Sequence, residues 1–238
     1  MPSRDMPAAD LSELENSLGY RFSDRGLLVE ALTHKSYHHE RPDQAPAFNE
    51  RLEFLGDSVL GLVVVEYLFR SGEAHRESTM SKIKAHIVRG AALSEAARSL
   101  SLGGYLRLGR GEVETGGRQK PSILANALEA VMGAVYLDGG YEEARRLILA
   151  LFKGKLDHAV SVGQLEDYKT SLQEESQTRF GVLPEYRLVS EEGREHDKVF
   201  TMEVLISGVR HGLGTGRTKK KAEAEAAREA LKKLGERA

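Results

Sequence analysis

Apolar residues recur at three- and four-residue intervals from about 10 to 153, and clusters of Gly and Pro interrupt the pattern. That period predicts a helical first part. A first helix starts in Asp10-Leu-Ser-Glu-Leu-Glu and stops near Gly19, and Asp24 caps a second that runs through Leu27, Leu28 and Leu32. The Pro-rich, polar stretch 38–47 reads as a loop. Helices follow over about 49–70, 79–99, 122–137 and 141–152, with Asp138-Gly139-Gly140 as the stop between the last two. The segment 106–121 holds Gly109, Gly111, Gly116 and Gly117 among charged residues and reads as an exposed loop. Gly111 and Gly116 have the spacing of a phosphate-binding loop, but Gly117 stands where its lysine belongs, so nucleotide binding is not expected.

From 154 to 166 the helical period fades into a linker or a frayed helix end. The texture then changes. A helix is predicted over 168–179, followed by three stretches, 185–190, 199–206 and 210–216, that alternate apolar and polar residues at the strand period. An alanine-rich helix over 219–234 closes the chain. The expected architecture is an all-α domain over 8–153, a linker over 154–166, and a small α+β domain of order α-β-β-β-α over 167–236, its helices on one face of an antiparallel sheet.

Composition narrows this picture. Among 238 residues, 40% are hydrophobic and 29% charged, as in ordinary globular proteins. The chain has no cysteine, which removes disulfides, thiolate metal sites and a cysteine nucleophile and fits a reducing cytoplasm. The strongly apolar run Val59 to Phe69 is about half a membrane span and contains Glu66, so it reads as a buried helix. The first residues lack the apolar core of a secretory signal, and a cytoplasmic protein is expected. A net charge of −2 would argue against a polyanionic partner, but such a partner needs only local positive charge.

The most informative stretch is Asn49-Glu-Arg-Leu-Glu-Phe-Leu-Gly-Asp-Ser-Val-Leu60. At 100° per residue, Glu50, Glu53 and Asp57 fall within an arc of about 60°, away from Leu52, Leu55, Val59 and Leu62. Carboxylates at these spacings repel unless a cation intervenes. Such stripes are usually solvated helix faces, yet this one runs into Gly-Leu-Val-Val-Val, which must be buried. Asn126 and Glu129 form a second pair, one turn apart in a very apolar helix, where polar oxygens need partners. Oxygen donors without Cys or a His cluster favour Mg2+ or Mn2+ over zinc. Glu77, just ahead of the helix expected from Thr79, is a further candidate, or simply an acid at a helix start.

These residues carry a resemblance. Asn49 to Leu60 resembles the signature of ribonuclease III, and the similarity extends through Ala31-Leu-Thr-His-Lys-Ser-Tyr, the segment from Ser122 to Gly140, and the C-terminal domain. The resemblance implies a magnesium-dependent endonuclease acting on double-stranded RNA, with Mn2+ as a substitute ion. It implies Glu53, Asp57 and Glu129 as metal ligands, Asp57 and Glu129 as catalytic, and Glu50 and Glu77 as secondary acids of the site. The remaining ligand position, described as aspartate in the family, is Asn126 here, which contributes an amide oxygen but no charge. Members of the family act as homodimers, each subunit cutting one strand to leave 5′-phosphate and 3′-hydroxyl ends and a short 3′ overhang. Precursors of ribosomal RNA and structured messenger RNAs are the substrates the resemblance suggests. Phe54 and Leu55, apolar beside the acidic stripe, are candidate dimer contacts, with intrachain core an equal reading for Leu55.

The C-terminal part is similar to a double-stranded-RNA-binding domain. Acidic and basic residues balance between Gln164 and Ala238, but Arg217-Thr-Lys-Lys-Lys221 concentrates positive charge where the last helix begins. By resemblance Lys219, Lys220 and Lys221 grip phosphates, Thr170, Gln173, Glu174 and Gln177 reach one minor groove, and His196 reaches the next. His34 and Lys35 are candidates for phosphate contacts or general-acid groups, with a structural or secondary role the preferred reading. Two other classes stay open on sequence alone: an RNA scaffold with a degenerate nuclease domain, and a ribosome-associated docking subunit.

Overall fold

The computed structural model describes residues 11–71, 76–194 and 197–235, apart from the side chains of Gln164 and Glu166. The chain forms two compact units, one from 1–72 and 81–157, the other from 73–80 and 158–238.

The first unit is helical among its described residues: α1 (Leu11–Leu18), α2 (Arg25–Ala31), α3 (Lys35–Glu40), α4 (Glu50–Arg70), most of α5 (Glu77–Ile87), α6 (Gly90–Ser99), α7 (Arg110–Glu114) and the first part of α8 (Pro121–Phe180). Helical assignment runs through α8 with one break at Gly140, whose φ of 78° and ψ of −174° separate two helices at the expected stop. Residues before that break form the centre of the unit, with Leu124, Ala127, Leu128, Val131, Met132 and Val135 at most 1% exposed. A helix apolar on nearly every side is buried on nearly every side. From α4, Leu52, Val59, Leu60, Val63, Val64 and Leu68 turn inward.

Four expectations change. The stretch 38–47 is not all loop, because α3 occupies Lys35–Glu40, capped by His34, whose Nδ1 accepts from the Ser36 amide at 3.2 Å. The helix expected over 79–99 is two, α5 and α6, with extended backbone at Arg89. The cause is angular: Ile83 and Ile87 are buried, and in one continuous helix Ala92 and Ala96 would face the opposite way, so a break turns them inward too. The segment 106–121 is not an exposed loop. Leu106 and Leu108 are buried, α7 forms within it, and Arg118 donates to the carbonyls of Gly103 at 2.8 Å and Leu106 at 2.9 Å. Residues 154–166, expected as a linker or frayed end, are helical, since nothing in Lys-Leu-Asp-His-Ala-Val-Ser-Val-Gly-Gln-Leu forbids it.

The second unit holds the remainder of α8, a three-stranded antiparallel sheet in the order β1 (Glu185–Glu192), β2 (Val199–Ile206), β3 (Val209–Gly216), and α9 (Lys219–Gly235). Its core joins Leu172, Val204, Ile206, Ala226, Ala227, Ala230 and Leu234. Helix α9 lies almost against the strand backbone. A methyl group added to Gly212 or Gly214 would overlap backbone atoms of Ala226, so alternate glycines of β3 and the alanines of α9 are two halves of one contact.

One polar tie fixes the first unit. Asp138, at the end of the central helix, accepts from the Tyr20 hydroxyl at 2.6 Å and from the amides of Ser23 at 2.9 Å and Asp24 at 2.8 Å. Burial opposes its ionisation, but these donors win and hold its carboxyl below the usual range. The sign of the linkage follows: the stabilisation is present above the ordinary carboxylate pKa of 3.8 and is lost as pH falls through the lower folded-state value. Asp138→Asn is expected to cost roughly 2 kcal/mol at neutral pH. In urea unfolding at stepped pH, the gap between wild type and variant should close in acid; a gap independent of pH would refute the assignment.

Candidate active site and RNA-facing surface

Helices α4 and α8 touch through their backbones. A methyl group on Gly56 would stand 2.6 Å from the Glu129 carbonyl carbon, closer still to its oxygen, and 3.0 Å from the Gly133 amide nitrogen. One on Gly133 would overlap the Leu52 carbonyl and lie 3.1 Å from the Gly56 nitrogen. Only glycine at both positions permits this approach. Because Glu53 and Asp57 flank Gly56, and Asn126 and Glu129 lie two turns and one turn before Gly133, the crossing brings the two polar groups of the sequence onto neighbouring turns.

Electrostatics register that closeness. Burial, then the charges of Asp57 and Glu53, push the Glu129 carboxyl up to about 7. Burial and the Glu50 charge raise Glu53, against a hydrogen bond from the Asn126 amide and the charge of Lys35. Glu53, Asn126 and Glu129 are half-buried, while Glu50 and Asp57 are exposed. Lys35 pairs with Glu50 at 3.1 Å. His34 is held below its usual pKa, chiefly by burial, which keeps the neutral ring that caps α3. Among the described residues no three His, Asp or Glu side chains converge, as they stand, at ligating distance of one point. The acids thus influence one another through space without converging on one point. The donor set still suits a hard divalent cation: three carboxylates and one amide, oxygen donors throughout, with two of the carboxylates penalised for their charge. Glu77 begins α5 and is grouped with the second unit, so it is not counted in this cluster.

The run from Val59 to Phe69, expected as a buried helix, keeps one face in solvent, and sequence reading caught that outer face of α4 only at Phe54. Phe54 is 79% exposed, Phe69 80%, Leu62 56% and Val65 43%, and all four fall within an arc of about 80° beside the acidic stripe. Leu55 is half-buried. The sign of this face was the run of apolar residues, which exceeds the one stripe a surface helix can bury.

In the second unit Thr170, Gln173, Glu174 and Gln177 are exposed along one stripe of α8. Thr170 and Gln173 line a groove with Lys220. Lys219, Lys220 and Lys221 are exposed at the first turn of α9, where Thr218 accepts from the Lys221 amide at 3.2 Å. Glu174 is engaged by Arg76 through two hydrogen bonds of 2.5 and 2.6 Å, a pair invisible in the sequence. Gln177 donates to the Gly181 carbonyl at 3.4 Å. His196 lies outside the described residues.

Carboxylates on two touching helices, followed in one chain by an α-β-β-β-α unit with lysines at the start of its last helix, are the parts expected of a protein that acts on nucleic acid. Comparison with known proteins agrees. Residues 24–156 match the family described as Ribonuclease-III-like, and residues 168–234 match the double-stranded RNA binding motif. The chain is 48% identical to Ribonuclease 3 of Caldanaerobacter subterraneus subsp. tengcongensis, over 94% of this chain and 98% of the relative. It is also 48% identical to Ribonuclease 3 of Streptomyces coelicolor, over 97% of this chain and 82% of that one. The nuclease domain of ribonuclease III from Campylobacter jejuni superposes with a TM-score of 0.57 at 43% identity, covering 61% of this chain and 97% of that domain. The chain belongs to the ribonuclease III family and is a double-stranded-RNA-specific endoribonuclease. No described helix is long and apolar enough to cross a membrane.

Gly56→Ala is expected to force α4 from α8, costing about 3 kcal/mol and abolishing cleavage. Gly61→Ala, on the same helix with only the Lys84 side chain 3.5 Å from an added methyl, is the control and should be tolerated. Urea midpoints for both decide it; equal stability of the two variants would remove the crossing as the basis of the site.

Proposed function

We propose that Glu53, Asp57, Asn126 and Glu129 hold divalent ions, Mg2+ with Mn2+ as substitute, for hydrolysis of duplex RNA to 5′-phosphate and 3′-hydroxyl ends with short 3′ overhangs. The observation that carries this is the Gly56–Gly133 crossing, which half-buries Glu129 beside the carboxylates of α4, so that burial first and then the charges of Asp57 and Glu53 push it up to about 7. When bound, the ion supplies a Lewis acid that activates water and steadies the leaving oxygen of an in-line displacement. The chain's own residues do the rest. Asp57, exposed at the rim, faces incoming backbone, with Glu50 two turns away on the same stripe as a secondary acid; Glu77 is assigned to the outer shell by resemblance alone. Glu129 must release the proton its carboxyl holds near neutrality before both oxygens can act as donors. Asn126, donating to Glu53, fixes that carboxylate while adding no charge of its own.

The duplex is gripped by shape. Lys219, Lys220 and Lys221, at a helix N-terminus, meet phosphates, while Thr170, Gln173, Glu174 and Gln177 face one minor groove and His196 the next. Glu174 joins only after its Arg76 pair opens. The nuclease domain is taken as 8–153 and the RNA-binding domain as 167–236, with 154–166 connecting them. The exposed face of α4 supports a homodimer, since a symmetric pair can cover it and match the two strands of a duplex. The Campylobacter jejuni nuclease domain is itself described as having a region involved in dimer formation. Cytoplasmic processing of ribosomal RNA precursors and structured messenger RNAs is the biological role in this reading.

Incubation of a long perfect duplex with Mg2+ tests the chemistry. Glu129→Gln should cut at least about 100-fold more slowly with unchanged duplex binding; full activity would refute the assignment. Asn126→Asp should bind Mg2+ equally or more tightly, and a fall in activity would count against that residue as a ligand. Separately, Phe54→Asp should convert a dimer to a monomer in sedimentation equilibrium. A variant that stays dimeric would place the interface elsewhere.

A further inference from the structure

Three acids on α4 share one stripe, and the only cation the structure sets directly on that stripe among the described ion pairs is Lys35, whose Nζ lies 3.1 Å from Glu50 Oε1. Taken alone the pair is ordinary: both side chains are about half exposed, at 54% and 50%, and such pairs contribute little. Two observations set it apart. The first is how it is held. Lys35 is the first residue of α3 and Glu50 the first of α4, and the chain between Leu32 and Asn49 is pinned at both ends. Thr33, wholly buried, accepts from the Asn49 amide at 2.9 Å; the His34 amide donates to the Arg107 carbonyl at 3.0 Å, and the Arg107 amide to Leu32 at 2.9 Å. Neither helix start can drift from the other without breaking buried backbone bonds. The second is reach: Glu53 stands one turn from Glu50 on the same stripe of α4, so an ammonium held 3.1 Å from Glu50 acts on its neighbour as well.

We propose that Lys35 is the resident counter-cation of the carboxylate cluster, a positioning residue that holds Glu50 and Glu53 together in the ion-free enzyme and competes electrostatically with the divalent ion for them. The inference rests on the metal reading above. It assigns a role to a side chain outside the ligand set: the ammonium offsets repulsion along α4 when no divalent ion is bound, and its positive charge weakens divalent binding.

Mn2+ titration of the RNA-free protein, followed by calorimetry, tests it, alongside thermal unfolding in chelator. Lys35→Met should bind Mn2+ about five-fold more tightly, the effect of removing one nearby unit charge, and should unfold at lower temperature than wild type when ion-free. The gain should shrink in high salt. Lys35→Arg, which keeps the charge, should restore both properties. Lys155→Met, which breaks the 2.7 Å pair with Glu95 on another face, should alter neither. Unchanged Mn2+ affinity in Lys35→Met, or weaker affinity, would overturn the proposal. If wild type itself bound no Mn2+, the metal reading would fall instead, and the two failures are thereby told apart.

Discussion

Helices α4 and α8 meet at a crossing with no side chain between them. Every other property of the candidate site is a consequence. Two helices usually keep 8–10 Å between axes because side chains interdigitate; Gly56 against the Glu129 carbonyl and Gly133 against the Leu52 carbonyl remove that spacer. Residues one turn away on either helix are then neighbours across the interface as well as along their own helix. Glu129 thereby comes within reach of the charges of Asp57 and Glu53, and Asn126 within hydrogen-bonding range of Glu53, while burial deprives Glu53 and Glu129 of part of their water.

That arrangement costs stability. A Glu129 carboxyl raised from 4.5 to about 7 retains in the folded protein a proton that the unfolded chain has lost, so between those values the ion-free fold weakens as pH rises. The first unit tolerates this because its remaining polar groups are well satisfied. Glu15, almost fully buried, is met by Arg25 and the Phe22 amide. Asp138 collects three donors where the central helix ends. The unfavourable balance falls on Glu53 and Glu129, whose charge is opposed by burial and by neighbouring carboxylates and only partly offset by Lys35, which is what a cation site must offer.

How much of this could be read from the chain depended on whether the signal was local. The stripe Glu50, Glu53, Asp57 is visible because helical spacing is a property of the sequence itself, and so are the stop at Gly140 and the alternation of β1 to β3. The crossing was not legible. Within a helix a glycine reads as a weak point, and only the partner helix reveals Gly56 and Gly133 as a matched pair. The same limit explains α3, stabilised by a ring contact of Tyr37 with the Arg107 guanidinium, 4.4 Å from the ring centroid and some seventy residues away. It explains segment 106–121, where glycine-rich composition suggested exposure and Arg118 instead gathers buried carbonyls. The break between α5 and α6 was in principle readable, because the buried positions change phase there.

The second unit repeats the device in another geometry. Alternate glycines of β3 let α9 descend onto the strand, with its alanines as the only side chains thin enough to fit. The depth of that contact fixes where the first turn of α9 emerges, and hence where Lys220 stands relative to Thr170 and Gln173 across their shared groove. Recognition of A-form RNA depends on matching the spacing of grooves and phosphates more than on any one hydrogen bond. A helix seated on backbone keeps that spacing more rigidly than one seated on flexible side chains. In both units, then, residues with no chemistry of their own set the positions of those that have it.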